Sequence, residues 1–589
     1  MGQKSVVALC ITVTALIFPT CALAQDALNQ LSVLFADEWQ YRLENDPLQA
    51  TGYGVHKYND RLTDVTPAAQ KKHAQKDREF LKRLDAINTT ALATSEQNNA
   101  ELFRFVLENR IQDANFKTWR IPFNSDSGFH SGLAFVVEQT PFKTQADYEN
   151  YLSRLNAMPD YIDQQIANMR IGLADGFTLA REILAKVEPS FAALTASTPH
   201  DSIFFKPFTE LPDSIGIAQR QALLAKGRRV IDQRVLPAFA KLHDFFVEEY
   251  AQAARTSLGA SELPNGRDYY RQQVRYFTTG EQTPQQIHDL GREEAARIRA
   301  EMEAIIERVG FDGSFKDFLK FLRTDSQFYV KTPDHLLDRA ARIAKRIDLQ
   351  LPAYFETLPR MSYGVEPVPA AIAENYTTGR AVSPIPGKQG GIFWVNTYAL
   401  DKRPLYNLPA LALHEGMPGH VLQIALGQEQ EAGPDFRKHL YISAFGEGWG
   451  LYCERLGLEM GIYQDDYEKF GRLTYEMWRA GRLIVDTGIH AMGWSRSQAV
   501  QFFVENSALS LHNINTEVDR YISWPAQALS YKLGELKIIE QRKRAEKELG
   551  EAFDIRRFHD AVLAQGAVTL PMLEAQIGDF ISSEAVNDK

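Results

Sequence analysis

The residues best suited to chemistry lie in the segment HEGMPGH at residues 414–420, which follows an apolar stretch that begins at Leu408. His414 and His420 supply two imidazoles, a side chain that commonly binds zinc, and Glu415 directly follows the first of them. A glutamate in that position lies beside a bound metal and can accept a proton from water. The segment therefore predicts a zinc site with Glu415 as general base.

The spacing of the two histidines departs from the common H-E-x-x-H pattern, in which they are four residues apart on one helix face. His414 and His420 are six apart, which on an unbroken helix separates them by about 120°. Pro418 and Gly419 lie between them, and both residue types interrupt helices. We therefore expect a helix break that turns His420 back toward His414.

A structural reading of this segment is also open, with one histidine in the core and the other at a helix end. Glu415 argues for a metal, because a carboxylate in an apolar stretch is costly without a positive partner. A divalent cation supplies that partner.

A third ligand is predicted about one helix further along, in the segment FGEGWGLYCER at residues 445–455. Glu447 is the expected ligand, because Gly446 and Gly448 on either side allow close backbone approach. Glu454 is seven residues later on the same face, and it would orient an imidazole or pair with Arg455. The alternative is a solvated acidic helix.

Charged side chains also recur on one face of a later helix, where Arg479, Arg482, Asp486 and His490 are three or four residues apart. They could form a network of ion pairs. They could also bind substrate, with His490 donating to a substrate carbonyl and an arginine such as Arg482 binding a peptide carboxylate.

The run at residues 392–397 (IFWVNT) follows a turn-rich loop at 381–391 and predicts a short β-strand. An exposed edge strand beside a metal can hold an extended peptide through main-chain hydrogen bonds. We expect residues 393–397 to act in this way, with Asn396 adding a side-chain hydrogen bond.

The elements that must position these residues are predicted to be mostly helices. Apolar residues recur at three- and four-residue spacing from Leu28 to about Arg380, most clearly at 287–309, and again from Leu408 to the end. The expected fold is mainly α with one small sheet. Residues 25–380 form a helical N-terminal region and residues 381–589 the metal-binding region.

Several strings of the sequence together resemble the bacterial "domain of unknown function 885" family. They are GIFWVNT at 391–397, HEGMPGH at 414–420, EGWGLY at 447–452, VDTGIH at 485–490 and WPAQALSYKLG at 524–534. That family is similar to helical zinc peptidases of the gluzincin type, such as carboxypeptidase Taq and angiotensin-converting enzyme.

The resemblance implies a large helical metallopeptidase fold with a small sheet next to the active-site helix, and a channel walled by the N-terminal region. It implies one Zn²⁺ per chain, bound by His414, His420 and Glu447, with Glu415 as general base. Similar enzymes use a tyrosine from a late helix to stabilise the oxyanion. Tyr531 stands at that place, and the alternative for Tyr531 is a role in the core.

The N-terminal residues predict a cleaved signal peptide over residues 1–24. Lys4 is followed by an apolar run at 6–18 and then by Ala22-Leu23-Ala24, an A-x-A cleavage site before Gln25. The apolar run is too short for a membrane anchor, and residues 18–20 (FPT) fit a lipoprotein signal at Cys21 poorly. We expect a periplasmic or secreted bacterial protein with no stable membrane insertion after cleavage.

Composition excludes other classes of function. The chain has 589 residues, with 65 Lys+Arg against 75 Asp+Glu and a net charge of −10, so nucleic acid is not an expected partner. Beyond the predicted leader only Cys453 remains, which excludes an intramolecular disulfide or a cysteine zinc site in the mature chain.

The sequence thus predicts an exported zinc-dependent peptidase that acts on short or unfolded peptides. Two alternatives stay open: a catalytically inactive helical peptide-binding protein, and a zinc amidase acting on cell-wall peptides. Ligand types alone leave the choice among zinc, manganese and cobalt open, and the oligomeric state and the choice between endo- and exopeptidase action are also open.

Overall fold

The computed structural model describes residues 17–125, 127–370, 372–385, 389–430 and 433–587. The first part of the described chain is helical, as predicted. Its helices are α1 (Ile17–Asn45), α2 (Pro47–Gly52), α3 (Pro67–Asp85), α4 (Thr94–Phe116), α5 (Phe129–Gln139), α6 (Gln145–Asp175), α7 (Arg181–Ala192), α8 (Ile217–Val230), α9 (Leu236–Phe245), α10 (Ala251–Ala253), α11 (Gly266–Thr278), α12 (Pro284–Arg308), α13 (Phe315–Thr324) and α14 (Pro333–Gln350). The periodic segment at 287–309 corresponds to α12, which Thr283 caps by accepting from the Gln286 N–H.

A three-stranded sheet follows, built from β1 (Tyr363–Pro367), β2 (Gly379–Val382) and β3 (Gly391–Val395). The strand order is β1-β3-β2, with β1 parallel and β2 antiparallel to β3. The prediction of an edge strand at 393–397 is therefore wrong, because β3 is central and ends at Val395. Its side chains are buried on both faces, as is usual for a central strand. The edge strands are β1 and β2, and the last two residues of β2 were expected to be in a loop.

The second part of the chain returns to helices and completes the mainly α fold. They are α15 (Leu408–Glu415), α16 (His420–Glu429), α17 (Asp435–Lys438), α18 (Ser443–Glu459), α19 (Asp466–Met492), α20 (Arg496–Asn506), α21 (Leu511–Ser523), α22 (Ser530–Leu549), α23 (Ile555–Leu563) and α24 (Leu570–Asn587). α19 packs on α12, α18 packs on α22, and the sheet contacts α15 and α16. α19 is buried all round from Phe470 to His490, so its polar side chains must find partners inside the protein.

One hydrophobic cluster contains residues from both predicted regions, from Ala27 to Ile581, and the boundary expected at 380/381 falls within β2.

Residues 1–16 of the predicted signal peptide lie outside the described residues. Helix α1 crosses the predicted cleavage site, and the first residues of the hydrophobic cluster, Ala27 and Leu31, follow that site. Among the described helices, none has the length and apolar character needed to cross a membrane.

Candidate metal centre

The three predicted ligands meet in the structure. One ligand atom from each of His414, His420 and Glu447 lies within 4.8 Å of the other two. Glu447 Oε2 is 3.3 Å from His420 Nε2 and 3.6 Å from His414 Nε2. Tetrahedral zinc with bonds of about 2.0–2.2 Å separates neighbouring ligand atoms by about 3.3–3.6 Å. The two separations that involve Glu447 fall in this range, so the three side chains could hold a metal ion.

The helix break between the two histidines is confirmed. α15 ends at Glu415 and α16 begins at His420. A Cβ on Gly419 would lie 1.9 Å from the His414 carbonyl oxygen, so the turn requires glycine at this position. Trp449 Nε1 donates to the Pro418 carbonyl oxygen at 2.8 Å and holds the turn against α18. The His414 and His420 rings come to 4.8 Å between centroids.

Glycines let α18 bring Glu447 to the histidines. A Cβ on Gly448 would lie 2.5 Å from Gly534 Cα, so these two glycines allow α18 and α22 to pack closely. A Cβ on Gly450 would lie 2.7 Å from His414 Cε1. Gly448 thus permits close packing of α18 on α22, and Gly450 leaves space for the His414 ring.

Glu454 orients the first imidazole. Its Oε1 lies 2.8 Å from His414 Nδ1, and both side chains are buried. A carboxylate there accepts the Nδ1 proton, which leaves the Nε2 lone pair free to bind a metal. The cation that pairs with Glu454 is Arg479, at 3.3 Å, rather than the Arg455 considered from the sequence.

The carboxylates around the imidazoles favour positive charge at this point. Burial alone would lower the pKa of His414, but hydrogen bonds with Glu447 and Glu454 raise it to about 10. Burial would likewise raise the pKa of Glu447, whereas His414 and His420 hold it well below the ordinary value. The contacts that hold a proton on His414 would likewise favour a divalent cation in its place, once the imidazoles are neutral.

Glu415 faces the same cavity as the three predicted ligands. This cavity has a volume of about 460 Å³. Glu415 Oε2 accepts a hydrogen bond from the Ala381 N–H of β2 at 2.8 Å, which fixes the carboxylate beside the histidines. Strand β2 therefore positions Glu415, the predicted general base.

Tyr531, from the first turn of α22, also lines this cavity. Its ring is nearly parallel to that of His414, with 6.2 Å between centroids. Arg482 Cζ lies 4.1 Å from the Tyr531 centroid, and Arg520 Nη2 donates to the Tyr531 hydroxyl at 3.4 Å. The phenol thus lies beside the metal ligands and next to two arginines.

Of the three predicted substrate-binding residues, only Arg482 lines the metal cavity. Asn396 is buried, and its Nδ2 donates to the carbonyls of Ala373, Tyr376 and Thr377, which fixes the segment before β2. His490 is also buried. The structure therefore places neither Asn396 nor His490 in the metal cavity.

The hydrogen bonds of His490 define its structural role. Its Nδ1 accepts from the Ala260 N–H at 3.0 Å, and its Nε2 donates to the Tyr521 carbonyl at 2.9 Å. The imidazole links α19 to two other segments of the chain. Arg482 of the same helix forms a buried ion pair with Glu517 at 2.9 Å. This pair favours the interpretation that the polar face of α19 forms a network of ion pairs.

Sequence reasoning missed Tyr441, whose hydroxyl donates to Glu447 Oε1 at 3.0 Å. Tyr441 precedes α18, so helical spacing could not link it to Glu447. Gly446 was an indirect indication, because a Cβ there would lie 2.5 Å from the Tyr441 ring. Arg520, Trp524 and the first-half residue Phe105 also line the cavity and were not predicted.

Comparison with known proteins identifies the family. The family model described as "Bacterial protein of unknown function (DUF885)" matches residues 47–577. The chain belongs to the DUF885 family. No curated protein gives a significant match.

Two solved structures are similar to this DUF885 protein. A candidate lipoprotein from Colwellia psychrerythraea is 26% identical with a TM-score of 0.89, and the match covers 95% of this chain and 100% of that one. A candidate lipoprotein of unknown function from Shewanella oneidensis is 18% identical with a TM-score of 0.72, covering 92% and 98% of the two chains. The fold thus occurs in both proteins.

Proposed function

We propose that this DUF885 protein is an exported, zinc-dependent peptidase that hydrolyses short or unfolded peptides. The observation that carries the proposal is the cluster of His414, His420 and Glu447, whose ligand atoms lie within 4.8 Å of one another, with Glu447 Oε2 at 3.3 and 3.6 Å from the two imidazole nitrogens. Glu415 and Tyr531 line the same cavity, so the groups needed for peptide hydrolysis are together.

One Zn²⁺ per chain, held by these three side chains, would supply a Lewis acid that activates water and polarises a carbonyl. Glu415 takes a proton from the attacking water and passes it to the leaving amine, and the Ala381 N–H keeps its carboxylate in place. Tyr531 donates a hydrogen bond to the oxyanion that develops on the substrate. Glu454 holds His414 in the tautomer that binds metal.

A peptide substrate fits the shape of the site. β2 pairs with β3 on one side only, and residues 377–381 line the metal cavity. An extended peptide can therefore approach main-chain groups of β2 other than the Ala381 N–H, which binds Glu415. A second cavity of about 830 Å³ shares Ile424, Tyr441 and Ile442 with the first. The two cavities together offer room for several residues of an extended chain rather than for a folded domain.

Export is part of the proposal. Among the residues whose burial the structure describes, the first in the core are Ala27 and Leu31, which follow the predicted leader, and both similar structures are of proteins described as candidate lipoproteins. Mass spectrometry of the exported protein should find an N-terminus at Gln25. An acylated Cys21 would instead mean a lipid-anchored protein.

Zinc analysis and peptide cleavage test the function. Purified wild-type protein should hold about one zinc per chain, which His414→Ala and Glu447→Ala remove and His512→Ala, at an exposed histidine, does not. Glu415→Gln should keep zinc and lose about 10²–10⁴-fold in peptide hydrolysis. Mass spectrometry of a digested peptide mixture is the readout.

The outcomes separate the alternatives. Wild-type protein that binds no zinc would refute the enzyme and favour a peptide-binding protein. Zinc-loaded protein that leaves linear peptides intact but cuts amide bonds of cell-wall fragments would favour the amidase.

A further inference from the structure

A small cavity lies between the sheet and the start of α15, the helix that carries His414 and Glu415. Its volume is about 30 Å³, whereas about 10–15 Å³ is enough for one water molecule. Val395 of β3, Leu411 of α15 and Asn513 of α21 are among the residues that line it. The cavity therefore has room for one or two small molecules or ions, and it is too small for a peptide.

Three buried polar atoms belong to residues that line this cavity and have no hydrogen-bond partner in the described part of the chain. They are Arg403 Nη2, Asn407 Oδ1 and Asn513 Nδ2. The three residues are only 6%, 7% and 5% exposed. Buried polar groups are costly when they stay unpaired, so these side chains form a polar site that a small molecule or ion would complete.

The charged groups that line the cavity are positive. Lys402 and Arg403 line it, and no carboxylate of the described residues does so. The ammonium group of Lys402 pairs with Asp401 at 2.5 Å. Arg403 Nε donates to the Tyr398 carbonyl oxygen at 3.1 Å, which is a neutral acceptor. The site therefore favours an anion over a cation.

Arg403 is a buried cation without a close counter-ion. Burial lowers the pKa of its guanidinium, and the nearby Tyr475 and Asp401 offset only part of this effect. Among the described residues, no carboxylate forms an ion pair with Arg403. A guanidinium keeps its charge in proteins, and a buried charge is costly unless it is paired. An anion beside Nη2 would supply the missing charge, which a water molecule would not.

The two asparagine amides suit a monatomic anion. Asn513 presents Nδ2, which is a donor. The side chain of Asn407 does not cap α15, so its amide can turn and present Nδ2 in place of Oδ1. Together with Arg403 Nη2, this gives three donors around one small space. A halide ion needs no more room than that, whereas a phosphate or a carboxylate brings further atoms that the cavity cannot hold.

We propose that this cavity binds a chloride ion, held by Arg403, Asn407 and Asn513. The ion neutralises Arg403 and ties the chain before α15 to α21. It therefore fixes the start of the helix that presents His414 and Glu415 to the metal cavity. This inference is independent of the proposed function, because it requires neither zinc nor a substrate.

Unfolding of the full-length protein in urea tests the site, since urea adds no anion. Sodium chloride is exchanged for sodium gluconate at constant ionic strength and constant zinc content, because gluconate is too large for the cavity. Saturating chloride should lower the unfolding equilibrium constant of the wild type about 10- to 100-fold. Arg403→Gln should remove this response, whereas Arg228→Gln, at an exposed arginine of α8, should keep it.

Bromide gives a direct readout that needs no variant. Crystals grown with sodium bromide should show an anomalous scattering peak between Arg403 and Asn513. Equal stability in chloride and gluconate, with a water molecule and no bromide in the cavity, would overturn the proposal. A chloride response that Arg403→Gln retains would overturn it as well.

A second variant keeps the test decisive if Arg403→Gln does not fold. Asn513→Ala retains the cation and removes one donor, so it should weaken the affinity for chloride by about 10-fold. Chloride titrations of stability at fixed ionic strength measure this change. An affinity equal to that of the wild type would contradict the assigned site.

Discussion

Glu454 Oε1 accepts a hydrogen bond from His414 Nδ1 at 2.8 Å, and neither side chain reaches solvent. Glu454→Gln should weaken zinc binding by about 10- to 100-fold, because the carboxylate fixes the imidazole tautomer and increases its basicity. Competition with a chromophoric chelator measures this affinity. Glu459→Gln, on the same helix with a side chain that is 44% exposed, is the control and should bind zinc normally. Unchanged affinity in Glu454→Gln would show that the contact is only structural.

Gly450→Ala should disturb the metal site without entering the cavity. The new methyl group would lie 2.7 Å from His414 Cε1, and the ring cannot retreat because Glu454 holds it. We expect at least about 10-fold weaker zinc binding, comparable to the loss of a group that orients a ligand. Gly427→Ala in α16 is the matched control, since no atom lies within 4 Å of the added Cβ. That change should leave zinc binding intact and stabilise the protein by up to about 1 kcal/mol.

Tyr531→Phe removes the expected oxyanion donor and keeps the ring against His414. We expect kcat to fall by about 10²–10³-fold, the usual cost of one such donor, with zinc content unchanged. Steady-state kinetics on one peptide measure the change. Tyr398→Phe, at an exposed tyrosine, should have wild-type kinetics. Loss of zinc in Tyr531→Phe would indicate a structural role instead.

His490 should make the protein less stable in acid. Burial lowers its pKa to about 3, whereas an unfolded histidine has a pKa of about 6.5. Between these values the unfolded chain binds a proton that the folded chain does not. This contribution to stability is therefore complete above pH 6.5 and falls by about 1.4 kcal/mol per pH unit below it.

Urea unfolding of wild-type and His490→Gln protein between pH 7.5 and 4.5, with a chelator present, measures this contribution. The variant should be less stable at pH 7.5 but should lose stability less steeply in acid. Before the chelator is added, the variant should contain as much zinc as the wild type, because His490 does not line the metal cavity. An identical pH dependence in both proteins would contradict the assignment.

The three residues that meet at the candidate metal centre could be selected from the sequence because neighbouring residues indicated each of them. Pro418 and Gly419 indicated a break that makes a six-residue histidine spacing usable, and the glycines beside Glu447 indicated close packing. The mainly α fold followed from hydrophobic periodicity in the same way. These are local properties, since backbone freedom and side-chain period are fixed by residues a few positions apart.

The tertiary structure decided which polar residues share the cavity. Glu454 pairs with Arg479 of another helix, and Tyr441 reaches Glu447 from outside α18. β3 pairs with both β1 and β2, which makes β3 the central strand and leaves β2 at an edge beside Glu415. Asn396 and His490 carry the same functional groups as substrate-binding residues, yet their hydrogen bonds are used inside the protein. The sequence by itself determined the donor set for a metal, because that set lies in two short segments. Only the packing of distant helices and strands determined the surroundings of that set, since burial and pairing depend on residues far apart in the chain.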